Sequence, residues 1–441
     1  MNNDKSKLHL ITPGYVFTFA LVSLLFFLWA LPNTMNDVLI QQFMKSMELS
    51  RLKAGLVQSA FKLGYFAFAI PAGLYMQRFG YKKGLMTGLV LFACGCFLFW
   101  PATLAGKYAF FLGALFVIAS GLSFLELGAN SFITGLGDAS TSERRLNFAQ
   151  SFNPIGSIVG VTVGTVFIFS GNEPTNEKIV AMKAAGTYQA FLNEETMRIG
   201  PPYIAIGVIV LLVALIIWRT RFPKVEPSGS SEHKGSFKEL RRYPHWYSAI
   251  IAQFFYLGAQ LGTWSYLITY VKENSALTEK AAGGLLIVNM VAFMCGRFFS
   301  TYLMKYVKPA GLMGIYALIN VGLVSIGILA SSWAGFSYIS SWFGIGALIC
   351  SSFFMSLMYP TIFASGVKGL GPNTKMGASA LIMSVIGGAA LTPVMGLIAD
   401  RTGAVAPSYI VPIISYSVIT WFAFFGSRPR GPLYDVSSAG V

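Results

Sequence analysis

The sequence predicts an all-α membrane protein of about twelve bilayer-crossing helices in two related six-helix halves. Three observations carry that expectation. The 441 residues are 55% hydrophobic and 11% charged, against about 25% charged in an ordinary soluble domain. Apolar stretches of the roughly 20 residues needed to cross a bilayer recur from end to end. Short words also repeat at nearly one offset: Phe26-Phe27 with Phe254-Phe255, Ala54-Gly55 with Ala282-Gly283, Gly84-Leu85-Met86 with Gly311-Leu312-Met313, and Ser123-Phe124 with Ser352-Phe353. Each match alone is weak. Together they link spans one and seven, two and eight, and four and ten, the mark of an internally repeated transport fold.

The elements follow in order. Span one, residues 15–42, is too long for a signal-peptide core and carries Asn33, Asp37 and Gln41 at helical spacing. Span two, 54–77, contains Lys62. Span three, 84–103, holds Cys94 and Cys96, which two-residue spacing turns apart, so they form no metal pair. Span four, 108–136, aligns Ser123, Glu126 and Asn130; span five, 147–170, aligns Gln150, Asn153 and Ser157. The connection Gly171–Gly200 is longer than most and leads to span six, 201–218. Arg219–His245, rich in Ser, Gly, Lys and Arg, reads as a linker between half-domains. Span seven, 246–271, presents Tyr256, Gln260 and Trp264 on one stripe. Span eight, 281–304, holds Asn289 and Arg297; span nine covers 310–331. Span ten, 335–366, lines up Ser352, Ser356 and Tyr359, and spans eleven and twelve cover 378–398 and 407–426. The expected domains are an N-terminal half, 1–218, a cytoplasmic linker, 219–245, and a C-terminal half, 246–441.

Charge orients the chain. The net charge of +15 does not signal nucleic acid, which needs basic residues clustered on one face. Here they sit in short loops, with a two-to-one excess on the side holding both termini, so both ends are expected in the cytoplasm. Cys94, Cys96, Cys295 and Cys350 all lie in apolar segments and form no redox or zinc motif. No metal site and no catalytic nucleophile–base arrangement is expected.

Ionisable groups within a bilayer are costly and mark function by default. Of the 17 acids, only Asp37 and Glu126 fall within spans. With the amide and hydroxyl stripes they suit a polar cavity, although such groups also cross-link helices for packing alone. Carboxylates, amides and a Trp or Tyr face fit a polyhydroxylated neutral ligand, whose hydroxyls take hydrogen bonds while its apolar face lies on a ring. All three histidines, His9, His233 and His245, lie in termini or the linker. A proton carrier must therefore be a carboxylate, and desolvation suits a buried carboxyl to load and release a proton. A sodium site would use the same groups. Lys62 lies at a depth similar to Asp37, and two arrangements are open: an ion pair with Asp37, or extension toward the outer interface. Arg297, in the cytoplasmic third of span eight, is expected to cap helix ends or lock a gate.

Several stretches resemble a known family: Ser23–Phe43, Ala54–Gly73, Gly121–Phe132, Ala252–Tyr270, Tyr359–Phe363 and Gly387–Asp400. By these the chain resembles the fucose/glucose/galactose branch of the major facilitator superfamily. The loop Gly73 to Lys83 is similar to the superfamily's loop signature, with Gln77 where an acid is usual. The resemblance implies twelve helices, alternating access and proton-driven sugar uptake. It places the cavity acids on Asp37 and Glu126, the span-five amides on Gln150 and Asn153, and the aromatic contacts on Trp264 and Tyr359. Asn33 and Gln260 complete the expected sugar set. Fucose carriers of this branch have an asparagine where Thr34 stands, an aromatic where Lys62 stands and a glutamine where Met358 stands. The expectation is a monomeric inner-membrane symporter using sugar, protons and the bilayer, with no cofactor beyond the proton gradient. Alternatives are carriers of glucose, galactose or N-acetylglucosamine, sodium-coupled or uncoupled carriage, and, against the amide-rich stripes, a drug exporter.

Overall fold

The computed structural model describes residues 14–49, 53, 56–170, 174, 176–223, 236–277, 279–333 and 338–429. His9, His233, both termini and residues 224–235 of the expected linker lie outside the described residues, as do the side chains of Asp37 and Gln41.

Every regular element among the described residues is helical, as the sequence predicts. Spans one to four are Val16–Ser46, Leu56–Phe79, Tyr81–Ala105 and Tyr108–Gly135. Span five comprises Ser142–Gln150, Phe152–Val163 and the π-turn Gly164–Ile168, and span six is Gly200–Arg219. Spans seven to nine are Pro244–Asn274, Glu279–Leu303 and Pro309–Trp333. Span ten is Tyr338–Met355 continued by Met358–Val367, and span eleven is Thr374–Met383 continued by Ile386–Thr402. Span twelve runs from Ala406–Tyr409 through Ile410–Trp421 to Phe422–Gly426. Ten of these are both long and apolar enough to cross a bilayer. The other two, Leu56–Phe79 and Pro244–Asn274, have the length but carry more polar side chains, among them Lys62, Gln77, Gln253, Gln260 and Lys272.

The interruptions in spans five, ten and eleven have local causes. Span five breaks at Ser151 and span ten at Ser356-Leu357. A helical carbonyl needs the N–H four residues on, and proline has none. Pro154 therefore orphans the Gln150 carbonyl, and Pro360 orphans that of Ser356. At the third break, Ser384-Val385, a Gly387-Gly388 pair follows instead.

The structure departs from expectation between the spans. The connection after span five contains a helical hairpin, Asn176–Ala184 and Tyr188–Met197. The linker holds a short helix, Phe237–Leu240, and span seven starts at Pro244, which is favoured in a first helical turn. His245 thus lies in that first turn and not in a polar linker. It is 1% exposed, with Nε2 2.9 Å from the Lys368 carbonyl.

The chain divides into two compact units: residues 20–129 with 155–223, and residues 1–19 and 130–154 with 224–441. Within the first, Gly156 of span five lies against the Phe27 carbonyl of span one, and Gly64 of span two against the Phe116 carbonyl of span four. A Cβ at either glycine would collide with that backbone oxygen. Within the second unit, Gly387 of span eleven meets the Phe254 carbonyl of span seven, and Gly296 of span eight meets that of Phe353 in span ten. The same two crossings therefore recur, one set in each unit, as small residues in a bilayer allow. Lys82 joins the start of span three to the end of span six by donating to the Trp218 and Thr220 carbonyls at 2.8 and 2.9 Å. The outer face of span six, with Leu212 55% and Trp218 62% exposed, suits contact with lipid.

Candidate functional site

Two polar clusters form, each inside one compact unit. In the unit of residues 20–129 and 155–223, Glu126 is buried at 8% exposure on span four. The Tyr65 hydroxyl of span two neighbours both the Glu126 carboxyl and the Asn33 amide. Ser123, one turn before Glu126, donates to the Tyr65 carbonyl at 3.3 Å, and Asn33 Nδ2 donates to the Trp29 carbonyl at 3.2 Å. Lys62 is half-buried with its ammonium 6.0 Å from the rings of Phe61 and Tyr65. Asn33, Tyr65 and Glu126 thus converge with Lys62 beside them. Asp37 stands one turn beyond Asn33 on the same helix, and its side chain, with any pairing to Lys62, lies outside the described residues. Tyr65 was not legible as a site residue, although its spacing of three from Lys62 puts both on one face.

The second cluster belongs to the other unit and centres on Arg297, 3% exposed. Arg297 Nε donates to the Ser356 carbonyl at 2.9 Å. Its Nη1 lies 3.1 Å from both the carbonyl and the side-chain oxygen of Gln150. Gln150 Nε2 in turn donates to Asn130 Oδ1 at 2.8 Å. The guanidinium lies 4.8 Å from the Phe293 ring and beside Tyr256 and Tyr359, whose rings are 6.1 Å apart. Trp264 packs edge-on against Phe293 at 5.2 Å and donates from Nε1 to Ser352 Oγ at 3.2 Å. The structure thus brings together Gln150, Asn130, Arg297, Tyr256 and Tyr359, with Trp264 reached through Phe293. Asn153 and Gln260 are half-buried on spans five and seven. The Asn289 amide is fully buried with no partner among the described residues.

Two further acids are buried, in segments read from sequence as loops. Glu143 is 6% exposed and takes Lys368 Nζ at 3.1 Å and Ser142 Oγ at 3.1 Å. Asn147, one turn on, donates to Thr361 Oγ1 at 3.1 Å. Glu195, in the hairpin before span six, is 2% exposed, 3.0 Å from Lys45 Nζ and 2.9 Å from Gln42 Nε2. Both partners are remote in sequence, so spacing carries no trace of either pair. Arg145, counted among loop cations, is wholly buried and caps the end of span four through the Ile133 and Thr134 carbonyls, both at 2.7 Å. Among the described residues no group of three or more His, Cys, Asp or Glu is placed to hold a metal ion.

Residues 18–385 match the Major Facilitator Superfamily. The chain is 41% identical over 421 residues to the L-fucose-proton symporter of Escherichia coli (strain K12), covering 94% of each protein. It is 31% identical over 420 residues to a glucose/galactose transporter of Brucella abortus, covering 94% of this chain and 95% of that one. A crystal structure of the transporter FucP in the outward conformation superposes with a TM-score of 0.83 at 41% identity, covering 94% of this chain and 99% of that one. The proton:xylose symporter XylE matches at a TM-score of 0.71 but only 14% identity, over 94% of this chain and 96% of that one, a likeness of fold alone. By family match and by relatives of this identity and coverage, the chain belongs to the major facilitator superfamily and, within it, to the family of the L-fucose-proton symporter.

Proposed function

We propose that this chain is a proton-coupled sugar symporter carrying L-fucose or a related hexose by alternating access. One observation supports the reading above others: a carboxyl, Glu126, is buried inside a membrane helix beside Tyr65 and Asn33, in a chain 41% identical to a fucose–proton symporter. Glu126 and Asp37 load and release the proton. Asn33, Gln150, Asn153, Gln260, Trp264 and Tyr359 contact the sugar, with hydroxyls on the amides and an apolar sugar face on an aromatic ring. Lys62 tunes the acids by charge, and Arg297 serves gating. No covalent step is needed, because transport is a population shift between two states driven by differential binding.

The protein resides in the inner membrane as a monomer, with both ends cytoplasmic, and the proton gradient replaces any cofactor. Its halves are residues 1–218 and 246–441, joined by the linker 219–245. The Glu143–Lys368 pair, the Asn147–Thr361 bond and the Arg297–Gln150 bonds tie span five to spans eight and ten. Opening toward the cytoplasm requires these ties to part.

The identity of the hexose turns on departures at Thr34, Lys62 and Met358. Thr34 Oγ1 lies 3.1 Å from the carbonyls of Ala30 and Ser157, so its hydroxyl is engaged with backbone where an amide would reach further. Competition of labelled uptake by a sugar panel, with and without a protonophore, identifies substrate and coupling. The function is tested by Glu126→Gln in proteoliposomes under an imposed pH gradient. Uphill accumulation is expected to vanish while sugar exchange persists; accumulation that continues, or loss of exchange with accumulation intact, would contradict the assignment.

A further inference from the structure

Two orphaned backbone carbonyls and one buried cation meet at a single point. Pro154 deprives the Gln150 carbonyl of its helical donor, and Pro360 does the same to Ser356. An unpaired buried carbonyl is costly. Arg297 supplies both missing donors, Nε to Ser356 and Nη1 to Gln150, at 2.9 and 3.1 Å. Guanidinium alone offers several donors in a fixed planar fork, so it can serve two helix breaks on different spans at once. Its third bond, to Gln150 Oε1 at 3.1 Å, orients that amide, whose Nε2 is held by Asn130. Among the described residues its hydrogen-bond acceptors are all neutral, with Tyr256 and Tyr359 beside it.

We propose that Arg297 is a positioning residue: it stands in for the N–H groups missing at Pro154 and Pro360, and thereby sets the Gln150 amide and Tyr359 in register for sugar. This rests on the reading of Gln150 and Tyr359 as sugar contacts. Arg297 itself need not touch sugar. Its bonds to span five and span ten make one side chain report on both breaks, so a sugar hydroxyl that recruits the Gln150 amide also loosens the joint between those spans. Binding and release of the gate become one exchange of hydrogen bonds.

The proposal is tested on the full-length purified transporter with five variants: Arg297→Met, Arg297→Lys, Pro154→Ala with Pro360→Ala, and each Arg297 change in that double-alanine background. Alanine restores an N–H four residues after each orphaned carbonyl. Arg297→Met is expected to lower the thermal midpoint by about 5 °C or more through three lost bonds and to raise the half-saturating fucose concentration about tenfold. Arg297→Lys, with one compact donor, recovers less than half of that loss. In the double-alanine background the midpoint cost of Arg297→Met should shrink to half or less. An equal cost in both backgrounds overturns the proposal, because the prolines would then be irrelevant to what Arg297 does. If Arg297→Met is too unstable to purify, the same comparison is read from Arg297→Lys. The melting cycle needs no sugar. Failure of the transport reading, seen as no fucose uptake by the unaltered protein, is therefore separate from failure of the proline–arginine coupling.

Discussion

Replacing Gly156 by alanine tests the close crossing of spans one and five. The added methyl would lie 2.9 Å from the Phe27 carbonyl carbon and closer still to its oxygen, where ordinary contacts begin at 3.4 Å. The obstacle is backbone, so no side-chain rotation relieves it and one helix must retreat by about 1 Å. Overpacking of this kind costs about 1–3 kcal/mol, and a rigid backbone neighbour argues for the upper end. Glycine to alanine returns about 1 kcal/mol of helix propensity, leaving a net loss of about 2 kcal/mol. Gly322, inside the helix Pro309–Trp333, has no atom within 4 Å of its Cβ position and supplies the control. There the same change collects the propensity gain alone, so the two variants should differ by about 3 kcal/mol. At about 2 °C per kcal/mol for a protein of this size, the melting midpoints of G156A and G322A should lie about 6 °C apart. Gly387→Ala, whose methyl would lie 2.7 Å from the Phe254 carbonyl carbon, should match G156A. Differential scanning fluorimetry of the purified variants reads all three. If G156A melts with or above G322A, the crossing is not a close contact and the argument fails.

Two other outcomes follow from the site. Lys62→Met removes a cation beside Tyr65, itself a neighbour of Glu126. If Lys62 holds a nearby carboxyl ionised, the pH at which uptake falls to half should move upward in the variant, and an unchanged profile removes the charge-tuning role. Trp264→Phe keeps an aromatic face but loses the 3.2 Å bond to Ser352, worth about 1 kcal/mol. Half-saturation should rise about fivefold with maximal rate retained, and a fall in rate alone would place Trp264 outside sugar binding.

Helices were legible because a bilayer demands long apolar runs, and Glu126 stood out because acids are rare inside them. Leu56–Phe79 and Pro244–Asn274 show the limit of apolarity, since Lys62 and Gln260 dilute the very spans that carry Tyr65 and Tyr256. The role of Arg297 was visible only in outline. Its partners are backbone carbonyls freed by Pro154 and Pro360, and a proline's effect four residues upstream becomes a site only when a third helix brings the donor. Glu143 and Glu195 look like loop acids in the sequence because their segments are polar and each finds its cation far along the chain. His245 reads as linker in the sequence because its polar neighbours mask the helix start at Pro244.

The hairpin before span six bears on how force passes through its unit. Glu195 grips Gln42 and Lys45, while Lys45 also donates to Ser170 at 3.0 Å. Span one is thereby moored at its C-terminal end, and Gly156 pinches it nearer the middle at Phe27. A rod held at two separated points neither slides along its axis nor tips about either one; it moves only together with the segments that hold it. A displacement arising anywhere along span one is therefore handed on to its neighbours, and the helix does not absorb it alone.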